Sequence, residues 1–282
     1  MEKPVFYSDK YHAFQIVRRT EICNTHIPPH VHDEVELYLS LSPLPGILLG
    51  NQVTAAEPGT LILIPPFCVH RLFDRTDELY DRYILSLKAA WLNNLFPQGN
   101  TSYSYLLDSE HPLLLFPSGS RLHTMQNILD ELLSFQGDCS FSAIRCLMEF
   151  LSQVDSLVCM RDSENGKKLR ISTTQQTVTD MIHYLDEHMG ESISLRDLSR
   201  EFTYNPDYIS RIFKKHTNTT VSGYIVLRKM VRARQLLSEG HTVTQVQTMT
   251  GYSSYAHFAR TFKEQVGIPP AAYRNSRLNS IR

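Results

Sequence analysis

The sequence predicts an α+β multidomain protein, in which a β-barrel is followed by a helical hairpin and by an all-α domain of two similar units. Three observations support this fold class. Residues 1–118 contain short β-rich runs, among them GTLILIPP and RYILSLK, that are separated by Pro, Gly and Asn. Beyond Ser120 the apolar residues recur at helical spacing. The basic C-terminal part then repeats itself at an offset of 49 residues, which indicates a duplicated structural unit.

The composition narrows the class of protein. Of the 282 residues, 42% are hydrophobic and 20% are charged, as in ordinary soluble globular proteins. No apolar run approaches the ~18 residues that a membrane-spanning helix needs, and the N-terminus lacks the pattern of a secretory signal. The five cysteines are widely spread without a C-x-x-C pair, and they indicate reduced thiols in a cytoplasmic protein.

The net charge of −1 conceals a strong asymmetry along the chain. Residues 170–282 contain 15 Lys and Arg against 9 Asp and Glu, a net charge of +6. The remaining residues contain 13 basic and 20 acidic side chains, a net charge of −7. This separation predicts that only the C-terminal part of the chain binds a polyanion.

The stretch HIPPHVHDEVELY, residues 26–38, contains three histidines and three carboxylates. In an extended strand the side chains alternate between the two faces. One face would then carry polar residues, namely His30, His32, Glu34, Glu36 and Tyr38. The opposite face would carry Val31, Val35, Leu37 and Leu39. Imidazoles and a carboxylate that converge from one strand are typical of a metal site.

Two apolar stripes predict a helical hairpin over residues 119–160. The first stripe runs through Met125 and Leu129, and the second runs through Leu147 and Leu151. Ser140, at the end of the turn FQGDCS, is a candidate cap for the second helix. Such stripes can pack on the barrel or pair with another subunit, and we expect a homodimer. The polar, non-periodic residues 161–174 predict an interdomain linker.

The repeat in the basic part predicts two helix-turn-helix units. The segments RIFKKHTNTTVSGY (211–224) and RTFKEQVGIPPAAY (260–273) match at the 49-residue offset, and a short amphipathic helix and a turn precede each. Ser194 is a candidate N-cap of the first short helix. Asn205 can cap the next helix with Pro206 at its first position, and Gly251 marks the second turn. In a helix-turn-helix the second helix enters the major groove of DNA.

Helical spacing assigns a buried and an outward face to each second helix. Ile209, Ile212 and Phe213 would be buried in the first copy, and Phe258 and Phe262 in the second. The cap and outward positions, which we expect to contact DNA, are Asn205, Asp207, Ser210, Arg211, Lys214, Lys215, Ser254, Tyr255, Ala256, Ala259, Arg260 and Lys263. Arg can bond a guanine edge with two hydrogen bonds, and Ala can contact a thymine methyl group. Five residues would suit phosphate contacts, namely Lys215, Arg228, Lys229, Arg232 and Arg234.

The segment GYSSYAHFARTFKEQVGIPPAAYR resembles the C-terminal signature of AraC/XylS-type transcriptional regulators, and the preceding copy fits the same domain. The resemblance covers roughly residues 174–276. It implies an AraC-type double helix-turn-helix DNA-binding domain over residues 175–276, with a long helix at about Val221–Glu239 between the two units. It further implies that both second helices read successive major-groove segments of double-stranded promoter DNA, with RNA polymerase as a further partner.

The N-terminal part resembles the cupin barrel that is often fused to this DNA-binding domain. The first cupin motif, H-x-H-x₃-E, fits His30, His32 and Glu36. The second motif fits GTLILIPPFCVHRLFD through Gly59, Pro65 and His70, with departures at Phe67, where the family has Gly, and at Asp74, where it has Asn. The resemblance implies an effector-sensing barrel over residues 1–118. Its pocket would be lined by His30, His32, Glu36, Tyr38 and His70. The possible ligands of a divalent metal (Zn, Ni, Mn or Fe) are His30, His32, Glu36 and His70.

These expectations together describe a non-enzymatic, effector-responsive transcriptional regulator of a metabolic operon, an activator with repression as the open alternative. Aromatic, His and Glu side chains in the pocket suit a sugar or another small polar effector. No cofactor is required for this function. Two alternatives remain open, a metal-dependent cupin enzyme and a metal-responsive regulator. The same polar side chains could also hydrogen-bond an effector, or one another, without a metal.

Overall fold

A computed structural model describes residues 5–7, 13–22, 29–73, 79–95, 103–108, 112–138, 140–161, 172–189 and 193–279. These residues form two compact units. The sheet unit is built almost entirely from residues up to 171, and the helical unit almost entirely from Ser172 onward. A sheet-rich N-terminal part and a helical C-terminal part are therefore confirmed. Most of the predicted linker and Asp74 lie outside the described residues.

Nine strands form two antiparallel sheets within the described part of the sheet unit. The strands are β1 (Val5–Tyr7), β2 (Phe14–Ile22), β3 (Glu34–Ser40), β4 (Leu44–Leu49), β5 (Gln52–Ala56), β6 (Leu61–Ile64), β7 (His70–Phe73), β8 (Leu79–Lys88) and β9 (Leu113–Leu115). The larger sheet has the order β1-β2-β8-β3-β6-β9, and the smaller one has the order β5-β4-β7. Strand β3 lies between β8 and β6, with Glu36 opposite Ser86 on one side and Ile64 on the other.

The two faces of the larger sheet contribute to different cores. Val35, Leu37 and Leu39 of β3 belong to a large apolar cluster that includes the buried residues of the helical hairpin. Tyr38 belongs to a second cluster, in which Ile62 and Ile64 of the larger sheet meet residues of the smaller sheet. The alternation predicted for β3 is therefore present, and the face that carries Glu36 and Tyr38 is turned toward the smaller sheet.

Three helices and one 3₁₀ turn complete the described part of the sheet unit. They are α1 (Ala89–Leu95), the 3₁₀ turn (Ser104–Leu106), α2 (Gly119–Ser134) and α3 (Phe141–Arg161), and α2 and α3 form the hairpin. Met125, Leu129, Leu147 and Leu151 are buried in the same cluster as the larger sheet, so the apolar stripes serve packing within the subunit. The side chain of Ser140 accepts a hydrogen bond from the amide of Ala143, as expected of a cap.

Seven helices form the described part of the helical unit. They are α4 (Thr173–Glu187), α5 (Leu195–Phe202), α6 (Pro206–Thr217), α7 (Val221–Ser238), α8 (Val243–Met249), α9 (Tyr255–Val266) and α10 (Pro270–Asn279). The predicted caps are confirmed, because Ser194 accepts from the amide of Asp197 and Asn205 accepts from the amide of Asp207. Thr220 caps the long helix α7, which ends one residue before the predicted Glu239. No helix among the described residues is both long enough and apolar enough to cross a bilayer.

Candidate functional site

The first candidate site is the pair of helix-turn-helix copies in the helical unit, α5–α6 and α8–α9. Helices α6 and α9 each contain 12 residues, and their bounds differ by the 49 residues of the sequence repeat. Each begins at a polar cap, Asn205 or Ser254, whose side chain accepts an amide hydrogen bond. Each ends at a residue with left-handed backbone, Asn218 (φ 56°) or Gly267 (φ 87°). The repeat therefore places equivalent residues at equivalent turns of two helices.

The buried faces of the two helices are equivalent as well. Phe213 and Phe262 have no exposed surface. Phe213 packs edge-on against Tyr224 with ring centroids 5.7 Å apart, and Phe262 packs edge-on against Tyr273 at 5.6 Å. These contacts fix each second helix against the helix that follows it, α7 or α10. Both helices therefore have the same rotation about their axes, and their outward residues can be compared position by position.

The outward faces carry the residues that the sequence predicted. Those with exposed side chains are Asn205, Asp207, Ser210, Arg211, Lys214, Lys215, Ser254, Tyr255, Ala256, Arg260 and Lys263, while Ala259 is half-buried. Asn205 and Ser254 also have a structural role, because their side-chain oxygens are the helix caps. Each copy thus exposes one arginine and one lysine at matching positions of its second helix.

An aromatic row accompanies the first copy, and sequence analysis did not single it out. The ring of Tyr208 lies 5.2 Å from that of Tyr204, and the Arg211 guanidinium lies 5.6 Å from the centroid of Tyr208. A cation over a ring face is attracted by the ring electrons. Tyr208 therefore restricts the orientations that Arg211 samples. The i, i+3 spacing of Tyr208 and Arg211 on one helix was the available signal.

Three of the five arginines and lysines assigned to phosphate contacts lie against other side chains of the helical unit, and the expectation is corrected for these three. The Arg228 guanidinium forms two contacts of 2.9 Å with the Asp186 carboxylate, and both side chains are largely buried. Arg234 lies against Tyr273, with its Nε donating to the hydroxyl at 3.5 Å. Burial lowers the pKa of Lys229, which lies over the ring of Tyr252. Arg232 is exposed, as expected of a residue that could meet a phosphate.

The second candidate site is a cluster of three ionisable side chains in the sheet unit. One ligand atom each from His32, Glu36 and His70 lies within 4.8 Å of the others. The Nε2 atoms of His32 and His70 are 2.8 Å and 3.8 Å from the same carboxylate oxygen, Oε2 of Glu36. Glu36 is supplied by β3 and His70 by the first residue of β7. The amide of Phe67 donates a hydrogen bond to the carbonyl oxygen of His32 at 2.8 Å. This bond connects the loop before His70 to the backbone of His32.

Backbone carbonyls fix the orientation of both imidazoles. The Nδ1–H of His32 donates to the carbonyl of Glu34 at 3.0 Å, and the Nδ1–H of His70 donates to the carbonyl of Cys68 at 3.1 Å. Because a carbonyl oxygen only accepts hydrogen bonds, these contacts leave both Nε2 atoms for the centre of the cluster. Metal-binding histidines are commonly oriented by the same outer contact.

The protonation of His32 follows from its two acceptors. Burial lowers the pKa of His32, but the hydrogen bond and the charge of Glu36 outweigh it, so that the net shift of the pKa is upward. A carboxylate cannot donate a hydrogen bond, so the 2.8 Å contact requires a cation or a proton between the two groups. The cluster is therefore suited to hold a positive charge next to Glu36.

Not all of the predicted pocket residues join this cluster. His30 is exposed and is not in the group, because β3 begins only at Glu34 and the alternation of faces does not extend back to residue 30. Tyr38 is buried, and its hydroxyl donates to the hydroxyl of Tyr80. Ser40 lies 3.4 Å from the same hydroxyl. Sequence analysis did not single out Tyr80, which reaches this position only through the pairing of β8 with β3.

Phe67 stands where the cupin motif has glycine, and its backbone explains that preference. Its φ is 62°, in the left-handed region that side chains with a Cβ rarely adopt. The turn that precedes His70 thus keeps a glycine-type conformation despite the bulky residue. The departure noted in the sequence changes the side chain at this turn and leaves the turn itself in place.

Comparison with known proteins identifies the domain type of the helical unit. A family model described as a helix-turn-helix domain matches residues 198–276. The chain is 32% identical over 96 residues to the uncharacterized HTH-type transcriptional regulator YobQ of Bacillus subtilis, which covers 34% of this chain and 40% of the relative. It is 23% identical over 237 residues to the HTH-type transcriptional activator Btr of the same organism. This alignment covers 83% of this chain and 43% of Btr. The chain thus spans less than half of the length of these curated relatives.

Two solved structures are similar to this chain, one over 37% of its length and the other over 93%. A transcriptional regulator with an AraC-type DNA-binding domain from Chromobacterium violaceum is 27% identical, covers 37% of this chain and 94% of its own, and has a TM-score of 0.35. ToxT from Vibrio cholerae is 14% identical, covers 93% of this chain and 97% of its own, and has a TM-score of 0.36. The sequence match over α5 to α10 leads to one assignment: residues 198–276 match a helix-turn-helix domain.

Proposed function

We propose that this chain is a transcriptional regulator that binds double-stranded DNA in a sequence-specific manner through α6 and α9. The observation that carries the proposal is the duplication itself. Two helices with equivalent buried faces expose equivalent cations, Arg211 and Lys214 on α6 and Arg260 and Lys263 on α9. An isolated basic helix could be an ordinary solvated surface, but the same arrangement in both copies favours a shared ligand.

The physical basis is that of other helix-turn-helix proteins. The net charge of +6 in residues 170–282 attracts the phosphate backbone and releases counterions on binding. Arg211 and Arg260 would each bond the N7 and O6 atoms of a guanine in the major groove. Exposed lysines and Arg232 would contact phosphates and fix the register without reading sequence. The proposal places the protein in the cytoplasm together with its DNA.

The test is a DNA-binding titration of the full chain against duplexes from its own genome, followed by fluorescence anisotropy. The logarithm of affinity should fall linearly with the logarithm of salt concentration, with a slope that reports the number of phosphates neutralised. Arg211→Ala or Arg260→Ala should each cost about 1–3 kcal/mol on the preferred site and relax base selection. Arg145→Ala is the matched control, because Arg145 is an exposed arginine of the sheet unit with surface ion pairs to Glu131 and Glu149. Affinity that is independent of salt, or equal losses in all three variants, would contradict the proposal.

For the sheet unit we propose a cupin-like, effector-sensing role. The support is a buried polar set, which includes Tyr38, Ser40 and His70, within an otherwise apolar cluster between the two sheets. Ligand pockets commonly combine an apolar lining with a few oriented polar groups. A sugar or another small polar molecule would suit these groups, and its binding would shift DNA occupancy if it favours one arrangement of the protein. A homodimer and a contact with RNA polymerase belong to the same proposal. The homodimer would not use the apolar stripes of the α2–α3 hairpin, because these are buried within the subunit.

We further propose that His32, Glu36 and His70 can hold a divalent metal such as Zn, Ni, Mn or Fe. The residues fit a metal, because two oriented Nε2 atoms and a carboxylate form a common ligand set for these ions. The metal would make the protein a metal-responsive regulator or would help to orient an effector. The alternative of a metal-dependent enzyme requires turnover that a chelator abolishes.

Elemental analysis of the purified chain, together with thermal shift on addition of each metal, tests the metal site. Glu36→Gln and His70→Ala should abolish the metal-dependent rise in melting temperature. His30→Ala is the control, since His30 is exposed outside the cluster and should leave the rise unchanged. If His30→Ala removed the effect while Glu36→Gln retained it, the assignment of the ligands would be wrong.

A further inference from the structure

The outward faces of α6 and α9 agree at two positions and differ at several others, among them Lys215, which corresponds to Glu264. Arg211 and Lys214 of α6 match Arg260 and Lys263 of α9 at the 49-residue offset. Asp207 and Ser210 of α6, however, correspond to Ala256 and Ala259 of α9. Because the caps and the buried phenylalanines of the two helices are equivalent, these differences lie at the same places on the two DNA-facing surfaces.

On the basis of the proposed DNA-binding function, we infer that the two helices read chemically different half-sites. Helix α6 reads hydrogen-bonding groups next to its guanine, whereas α9 reads thymine methyl groups next to its guanine. The DNA site is therefore an unequal pair of half-sites, which the chain binds more tightly in one orientation than in the other.

The chemistry of α6 favours a G·C-containing half-site. Asp207 is exposed in the first turn of α6 and offers acceptors only. In the major groove the exocyclic amine of cytosine is the donor that a carboxylate accepts. Four residues further along the same face, Arg211 is held against the ring of Tyr208. An acceptor and a two-pronged donor at this spacing suit a cytosine and a guanine in neighbouring base pairs.

The chemistry of α9 favours thymine instead. Ala256 is exposed, and Ala259 is half-buried beside it on the same face of the helix. Neither side chain can form a hydrogen bond, so each can distinguish bases in the major groove only through the thymine methyl group. Tyr255, which is 52% exposed, adds apolar surface at the start of the same helix. Arg260 retains the guanine contact that α6 also has.

The first arm of the test uses the unchanged protein and altered DNA. Bound duplexes are first selected from a random pool. The half-site of α9 is then identified as the one at which Arg260→Ala weakens the preference for particular bases. Replacing its thymines by deoxyuridine removes the methyl groups alone and should weaken binding about three- to fivefold per contacted methyl, from the free energy of burying one such group. The same replacement in flanking DNA is the control and should change nothing.

The second arm exchanges the two side chains. Asp207→Ala should shift the preference at one base pair of the α6 half-site from cytosine toward thymine, and Ala256→Asp should shift the matching base pair of the α9 half-site from thymine toward cytosine. Each shift should be at least about fivefold. Both residues are exposed, so the fold should tolerate these changes.

The outcomes separate the inference from the proposed function. Sequence-selective binding with no effect of deoxyuridine, or with unchanged preferences in both exchange variants, would overturn the inference and leave the proposed function in place. Failure of the unchanged chain to select any sequence would overturn both.

Discussion

The ion pair between Arg228 and Asp186 decides between two roles for one arginine. The sequence suggested a phosphate contact, whereas the structure shows Nε and Nη2 of Arg228 each 2.9 Å from an oxygen of Asp186. The side chains are 22% and 16% exposed. Arg228→Met removes the cation and keeps most of the side-chain volume. The variant therefore isolates the charge.

The size of the effect follows from the burial of the pair. Two unit charges about 4 Å apart attract by about 4 kcal/mol at an effective dielectric constant near 20. The cost of desolvating both groups offsets much of this gain. Burial of Asp186 raises its pKa, and the charge of Arg228 compensates only in part. Removing one partner of a buried pair costs about 3–5 kcal/mol, and because this pair is partly exposed we expect Arg228→Met to cost about 2–3 kcal/mol.

Urea denaturation of the single variants and of the double variant Asp186→Leu, Arg228→Met measures the coupling. The double variant removes both charges of the pair and should lie within about 1 kcal/mol of the wild type. The raised pKa means that folded Asp186 binds protons more readily than in the unfolded chain, so stability falls as pH rises through that range. Without Arg228 this pKa rises further, and the deficit of Arg228→Met should shrink as the pH is lowered.

A cost of less than about 0.5 kcal/mol for Arg228→Met, or a double variant as unstable as the single one, would refute the structural role of this ion pair. DNA binding gives an independent check. A true phosphate contact would lower the salt slope by about 1 in the double variant, whereas a structural pair predicts an unchanged slope.

Three further predictions concern stability. Although burial raises the pKa of Asp81, its hydrogen bonds from Arg18 and Thr20 lower that pKa overall. Asp81→Asn should therefore cost about 1 kcal/mol of stability near neutral pH. In urea titrations this loss of stability should vanish as the pH falls through the lowered pKa. Thr203 ends α5 with a φ of 57°, so Thr203→Gly should stabilise the fold by about 1 kcal/mol. The control Thr244→Gly, within α8, should destabilise the fold by a few tenths of a kcal/mol. Thermal denaturation in which both variants change stability in the same direction would contradict this. Phe262 is fully buried, so Phe262→Ala should cost about 3–5 kcal/mol by denaturation, and a loss below about 1 kcal/mol would show that its site is not packed as described.

The features that sequence analysis predicted correctly are those that depend on local or periodic signals. The caps at Ser194 and Asn205 act within three residues of the chain, and their hydrogen bonds are confirmed. The buried faces of α6 and α9 follow from helical periodicity, and the duplication supplied a second observation of each position. Such signals need no knowledge of the tertiary structure.

The features that sequence analysis missed depend on contacts between distant residues. Arg228 resembles any surface cation until α4 brings Asp186, 42 positions earlier, against it. His30 matches the spacing of a ligand, but the start of β3 at Glu34 decides which histidine joins the cluster. Tyr80 lies beside Tyr38 only because β8 pairs with β3. Strand register and helix packing carry this information, and spacing along the chain does not.

The central claim is that two equivalent helices read DNA, and selection of bound duplexes from a random pool tests it most directly. The wild-type chain should enrich a site with two half-sites about one helical turn, or about 10 base pairs, apart. Arg211→Ala should relax selection in one half-site and Arg260→Ala in the other. The absence of any enriched sequence, or two variants that select the same site as the wild type, would contradict the account.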